Sequence, residues 1–159
     1  MKKMIAAVAI PCVVLLSLAL YNQHFIMTGP VFEFEIEGYD PRDILAGHYL
    51  RFRIKYATDT KCTISYGPAN MCLKPQQRVM EGDDVAGCEN WIAGRCENAL
   101  FRDDLDRFYI PQDRSLLLES QLIAGHASVQ VVVGKGNALI KDLLVNGKPW
   151  TDVQKNQSK

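Results

Sequence analysis

Between Lys3 and Glu33 the chain carries no Asp, Glu, Lys or Arg. Few helices of a soluble core go that long without charge, so the segment reads as membrane-directed. The chain as a whole lacks net charge, with 18 Lys+Arg against 18 Asp+Glu in 159 residues. No global field therefore recruits a polyanion, and nucleic acid is not expected as a partner. No Cys-x-x-Cys pair is present, which weakens both a zinc knuckle and a thiol–disulfide exchange motif. There is no Gly-x-Ser-x-Gly elbow and no internal repeat, so neither a serine hydrolase signature nor a solenoid is indicated. No cofactor or metal is expected.

What is present begins with Lys2 and Lys3 and an apolar run from Met4 to Tyr21. That run is close to the ~20 residues a helix needs to span a bilayer. Phe25, Ile26 and Met27 can extend it. The two lysines predict a cytoplasmic N-terminus and an exported remainder, the pattern of a signal-anchor. A cleavable signal peptide is the alternative, with Ser17-Leu18-Ala19 as its small-residue site; the run exceeds the usual 7–15-residue signal core, which favours the anchor. Cys12 follows Pro11, an arrangement a lipidation box would not use. The expected location is the inner membrane, single-pass, with the C-terminal domain in the periplasm.

Cys62, Cys72, Cys88 and Cys96 share one polar, Gly-rich stretch. An even number of clustered cysteines in an exported segment predicts two disulfides. Four cysteines allow three connectivities; Cys62–Cys72 with Cys88–Cys96 closes the shortest loops and is the expectation.

Two stretches, FEFEIE (32–37) and RFRIKY (51–56), alternate charge with apolar side chains. This period of two predicts strands with Phe32, Phe34 and Ile36, and Leu50, Phe52 and Ile54, facing a core. An antiparallel pairing with Glu35 opposite Arg53, Glu37 opposite Arg51 and Glu33 opposite Lys55 would neutralise the stripes. Leu105–Ile110 is a further strand candidate, and Asp113 caps a predicted helix over 114–123. His126–Val133 and Ala138–Val145 read as a hairpin through Gly134-Lys135-Gly136-Asn137, followed by an Asn146-Gly147 turn. The expected fold class is α+β: an N-terminal transmembrane helix, then a mainly antiparallel β domain with one helix and a disulfide-stapled insertion. Its segments are an anchor and connector (1–30), an exported domain (31–150, with the cysteine insertion at 57–100) and a flexible tail (151–159).

At GYDPRDILAGHYLRFRIKY the chain resembles a bacterial family of membrane-anchored proteins named for a Gly-Asp-Tyr-x-x-Leu-x-Tyr motif. Asp40-Pro41-Arg42-Asp43 matches the family's lead-in, Gly47 and Tyr49 match the motif, and Arg107-Phe108-Tyr109-Ile110-Pro111 matches a later element. His48 stands where the motif has Asp, Phe52 where it has Leu, and Ile54 where it has Tyr, with Tyr56 two residues on. The resemblance implies topology and architecture and transfers no catalytic residue.

The candidate functional loop is Asp40, Arg42, Asp43, His48 and Tyr49. In one reading strands present these groups to a ligand, with His48 as a base oriented by Asp40 or Asp43; in the other the aspartates shape turns and cap amides. The run Arg102–Arg107 reads as a solvated turn, because the spaced oxygens, Gly hinge and distal Glu of a calcium loop are missing. Trp91 and Trp150 fit either core lids or interface anchors. The expected function is a non-enzymatic accessory or binding module of an inner-membrane complex. Its partners would be the lipid bilayer, through the N-terminal helix, and another envelope protein. The alternative is an envelope enzyme, either a hydrolase using His48 or a thiol oxidoreductase using the cysteines.

Overall fold

The computed structural model describes residues 2–37, 49–109 and 126–155. Two compact units divide the chain, Met1–Pro30 and Val31–Lys159. The first is a single helix, α1 (Lys2–Thr28), with Pro11 inside it. At 1.5 Å per residue its 27 residues extend about 40 Å. Ala9–Thr28 has a mean hydropathy of 1.5 and none of it is buried, so this helix is long and apolar enough to cross a membrane. The hydroxyls of Ser17 and Thr28 donate to the carbonyls of Val13 and His24, each at 2.8 Å, which hides polar groups that lipid would not solvate. Gly29 N–H closes the last turn on Phe25 O, and Pro30 follows.

The second unit is built from two five-stranded sheets and a short two-stranded ladder. The strands are β1 (Val31–Glu37), β2 (Tyr49–Arg51), β3 (Arg53–Lys55), β4 (Tyr66–Lys74), β5 (Arg78–Glu81), β6 (Asn90–Glu97), β7 (Leu100–Arg102), β8 (Arg107–Tyr109), β9 (Ala127–Val133), β10 (Lys135–Gly136), β11 (Ala138–Val145) and β12 (Lys148–Pro149). The first sheet runs β12-β11-β9-β1-β3, the second β10-β6-β4-β5 with β7 also on β6, and β2 pairs with β8. Apart from the parallel contact of β10 with β6, the pairings are antiparallel.

In β1 the alternation works as the sequence predicts: Phe34 and Ile36 are buried and the glutamates are exposed. The β9–β11 hairpin also forms as expected, and Asn146 and Gly147 both have positive φ (52° and 75°) in the turn before β12, the mirror-image turn that suits strand twist. Residues 134–137 are more than a turn, because Lys135–Gly136 lie beside Trp91–Ile92 of the other sheet. The cysteine-bearing stretch, expected as a disulfide-stapled insertion, supplies β4 to β6 and the start of β7, and so most of the second sheet. Side chains from both sheets, among them Phe34, Ile54, Met71, Ile92, Phe101, Val129, Val131 and Leu143, form one apolar cluster.

The disulfides join Cys62 to Cys96 and Cys72 to Cys88, correcting the expected local pairing. The β4–β6 register is the reason. It sets Cys96 opposite Gly67 and Cys72 opposite Trp91, at different ends of the ladder. Cys62 N–H bonds to Ala99 O just beyond β6, beside Cys96, while Cys88 lies at the entry to β6 beside Cys72. The expected β1–β3 pairing is present but two residues out of the expected register: Glu35 faces Lys55 and Glu37 faces Arg53. Sides are preserved under a two-residue slip, and the cause is a pairing distant in sequence. Arg51 belongs to β2 and is taken by Arg107 of β8.

Of the strand expected over 105–110, Arg107–Tyr109 form β8, Leu105 and Asp106 precede it, and Ile110 lies outside the described residues. The helix expected over 114–123 lies outside the described residues. A helix not foreseen, α2 (Trp150–Lys155), occupies the start of the segment expected as a flexible tail. Trp150 holds it down, 9% exposed and edge-to-face with Phe108 at 6.2 Å.

Candidate functional site

A groove of about 700 Å³ opens on the second unit along the outer side of residues 51–56, between them and the β6–β8 region. Phe52, Ile54 and Phe101 are among its lining residues, with their side chains nearly fully buried in the core. Its walls are charged. Arg51, Arg53 and Lys55 come from one side, and Arg95, Arg102 and Arg107 from the other, interleaved with acids.

Strand alternation places these groups. Leu50, Phe52 and Ile54 turn into the core, so Arg51, Arg53 and Lys55 turn outward. On β6 and β7 the opposed residues Cys96 and Phe101 are buried, so the neighbouring opposed pair, Arg95 and Arg102, shares the other face.

One polar contact sits deeper. Tyr56 donates its hydroxyl to Asp103 Oδ2 at 2.6 Å, and Asp103 Oδ1 accepts the Leu105 N–H at 2.9 Å. Phe34 and Phe101 enclose the Tyr56 ring edge-to-face, with centroids at 5.5 and 6.0 Å. Burial pushes the Asp103 carboxyl above the ordinary carboxylate range, against the lowering effect of its two hydrogen bonds. The Tyr56 phenol is pushed far above its usual value, first by burial and then by the adjacent Asp103 charge. Expected to lie in a solvated turn, Asp103 is instead a half-buried partner of a tyrosine 47 positions away.

The remaining acids are largely neutralised. Asp106 meets Arg51 at 3.4 Å and Arg107 at 3.3 Å. Arg95 reaches Glu97 at 2.7 Å and Asp104 at 3.2 Å, and its guanidinium pKa is raised, first by the hydrogen bond to Glu97. Lys55 pairs with Glu35 at 3.3 Å, and Asp59 with Lys61 at 3.4 Å. Exposed pairs of this kind contribute little stability, about 0–1 kcal/mol each. Among the described residues no ion pair engages Arg53 or Arg102.

Of the loop residues expected to act, Asp40, Arg42, Asp43 and His48 lie outside the described residues. Tyr49 opens β2 opposite Tyr109. The four cysteines of the second unit are consumed in bridges, and Cys72 and Cys96 are fully buried. Cys62, Glu81 and Cys96 lie close enough to resemble a metal cluster, but both sulfurs are bonded to each other. The Glu81 carboxylate accepts the amide and hydroxyl of Thr63, and the hydroxyl bond chiefly lowers its pKa. Arg51, Arg53, Lys55 and Tyr56 were the groove residues open to sequence reading, since they carry the period of RFRIKY. Arg95 and Arg102 carried no such signal.

Neither the curated proteins nor the solved structures include a match to the chain. A family model described as GDYXXLXY protein matches residues 11–143, a span that takes in most of the helix and most of both sheets. On that match the chain belongs to the GDYXXLXY family.

Proposed function

We propose that the protein is a single-pass, membrane-anchored binding module whose C-terminal domain stands in the periplasm and serves an inner-membrane complex without catalysing a reaction. Supporting the anchor are the two N-terminal lysines and the unburied apolar stretch Ala9–Thr28. Two disulfides support an oxidising location for the domain.

The observation that carries the binding role is the groove: about 700 Å³ and charged along both walls. Its size falls within the range of sites that take ligands. The charged groups are mostly paired with one another, an arrangement that suits recognition by complementarity better than proton transfer to a substrate. Bonded, buried sulfurs at Cys72 and Cys96 leave a thiol-exchange role without an available nucleophile in this state.

Isolation of the full-length protein from membranes in mild detergent tests this reading. A stoichiometric membrane or envelope protein should accompany it. Recovery of the protein alone, after cross-linking in intact membranes, would remove the reading.

A further inference from the structure

We propose that the groove receives an extended peptide segment through its carboxylates, with Arg102 as the principal anchor, Arg95 beside it and Arg53 as a third cation. This rests on the binding-module reading and specifies its ligand.

The starting point is the β6–β7 register, in which Arg95 and Arg102 stand directly opposite each other. Like charges at opposed positions disfavour strand pairing, so the fold keeps the two guanidiniums together against a cost. Glu97 and Asp104 compensate Arg95. Nothing among the described residues compensates Arg102, which is half-buried at the groove wall. Partial desolvation strengthens any pairing it makes with an arriving anion, and a guanidinium fork matches a carboxylate with two parallel hydrogen bonds. Arg53 lines the same groove, and Glu37, its register partner, makes no ion pair among the described residues.

The same walls argue against a dense polyanion. Asp59, Asp104, Asp106 and Glu97 also line the groove, and a phosphate-rich surface brought into it would meet them at close range. A ligand with separated carboxylates avoids that repulsion, and an extended peptide spaces its side chains in this way.

The test uses full-length protein in detergent and fluorescence anisotropy. The probe is a labelled, end-capped peptide of alternating Glu and Val; its Gln counterpart and inorganic phosphate are the comparisons. The Glu peptide should bind, and replacing its carboxylates by amides should weaken binding about tenfold or more, as for loss of a charge-assisted hydrogen bond. Arg102→Gln should weaken the Glu peptide by a similar factor at a urea midpoint no lower than that of wild type. Should that variant fail to fold, Arg53→Gln should show the same direction of loss. Equal binding by wild type and the folded variants overturns the inference, as does displacement of the peptide by phosphate at equal concentration. Detergent co-isolation separates the two readings. A partner held equally by wild type and Arg102→Gln contradicts the groove assignment and leaves the module intact. No partner with wild type contradicts the module reading, while the anisotropy still judges the groove.

Discussion

Replacing Tyr56 by Phe removes a single hydroxyl and keeps a ring of the same shape between Phe34 and Phe101. The lost contact is the 2.6 Å hydrogen bond to Asp103 Oδ2. A bond to a charged acceptor contributes about 1.5–3 kcal/mol, and some of this is recovered because Asp103 is only half-buried and keeps its Leu105 bond. We expect a loss of about 1–2 kcal/mol at pH 7, near the lower half of that range.

The pH dependence gives the sharper test. Asp103 has a folded-state pKa above its unfolded value, so the folded domain binds this proton more tightly. Its contribution to stability is therefore full below the unfolded pKa and is lost as pH rises through the folded one. The Tyr56 hydroxyl lowers the Asp103 pKa, so Tyr56→Phe raises it further and deepens the neutral-pH penalty. The cost of the substitution should then shrink as pH is lowered from 7 toward 4, where Asp103 takes up its proton. Urea unfolding of the full-length protein, followed by Trp91 and Trp150 fluorescence at several pH values, measures this. A cost below about 0.3 kcal/mol, well under a net hydrogen bond, would refute the reasoning, and so would one that does not change with pH.

At the alkaline end the Tyr56 phenol keeps its proton after the unfolded chain has lost it, so stability should fall above about pH 10 and fall less steeply in Tyr56→Phe. Proteolysis without reduction should yield linked peptides carrying Cys62 with Cys96 and Cys72 with Cys88; a Cys62–Cys72 peptide would contradict the fold. Replacing Cys72 and Cys88 by Ala releases a loop with a sequence separation of 16, and the unfolding free energy should drop by about 3 kcal/mol. Gly94→Ala would drive a methyl into the Phe101 ring at 2.7 Å and against the Arg102 carbonyl. Overpacking of this kind costs about 1–3 kcal/mol, visible as a lowered urea midpoint.

Parts of this architecture could be read before any coordinates. β1 announced itself because its glutamates and apolar residues alternate cleanly, and the β9–β11 hairpin and Asn146-Gly147 turn have local chemical causes. β4 was hidden for a physical reason: Ala69 to Leu73 are buried without interruption, so a strand covered on both faces has no alternation to betray it. Cysteine parity revealed two bridges, but the partners depend on the β4–β6 register, which joins residues distant in sequence. The β1–β3 register slipped in expectation because nothing local shows that Arg51 pairs with β8. The groove was legible only on one side. RFRIKY displays its cations, whereas Arg95, Arg102 and Asp103 reach the site through tertiary pairing. The resemblance read from residues 40–49 and 107–111 agrees with the family match over 11–143.

The central claim is that α1 tethers an exported, disulfide-bonded domain. A reporter enzyme that folds only in an oxidising compartment, fused after Lys159, tests it directly. The account predicts an active reporter that stays with the membrane fraction after salt and carbonate washing. An inactive reporter on a correctly expressed fusion, or an active one released as a soluble protein, would contradict it.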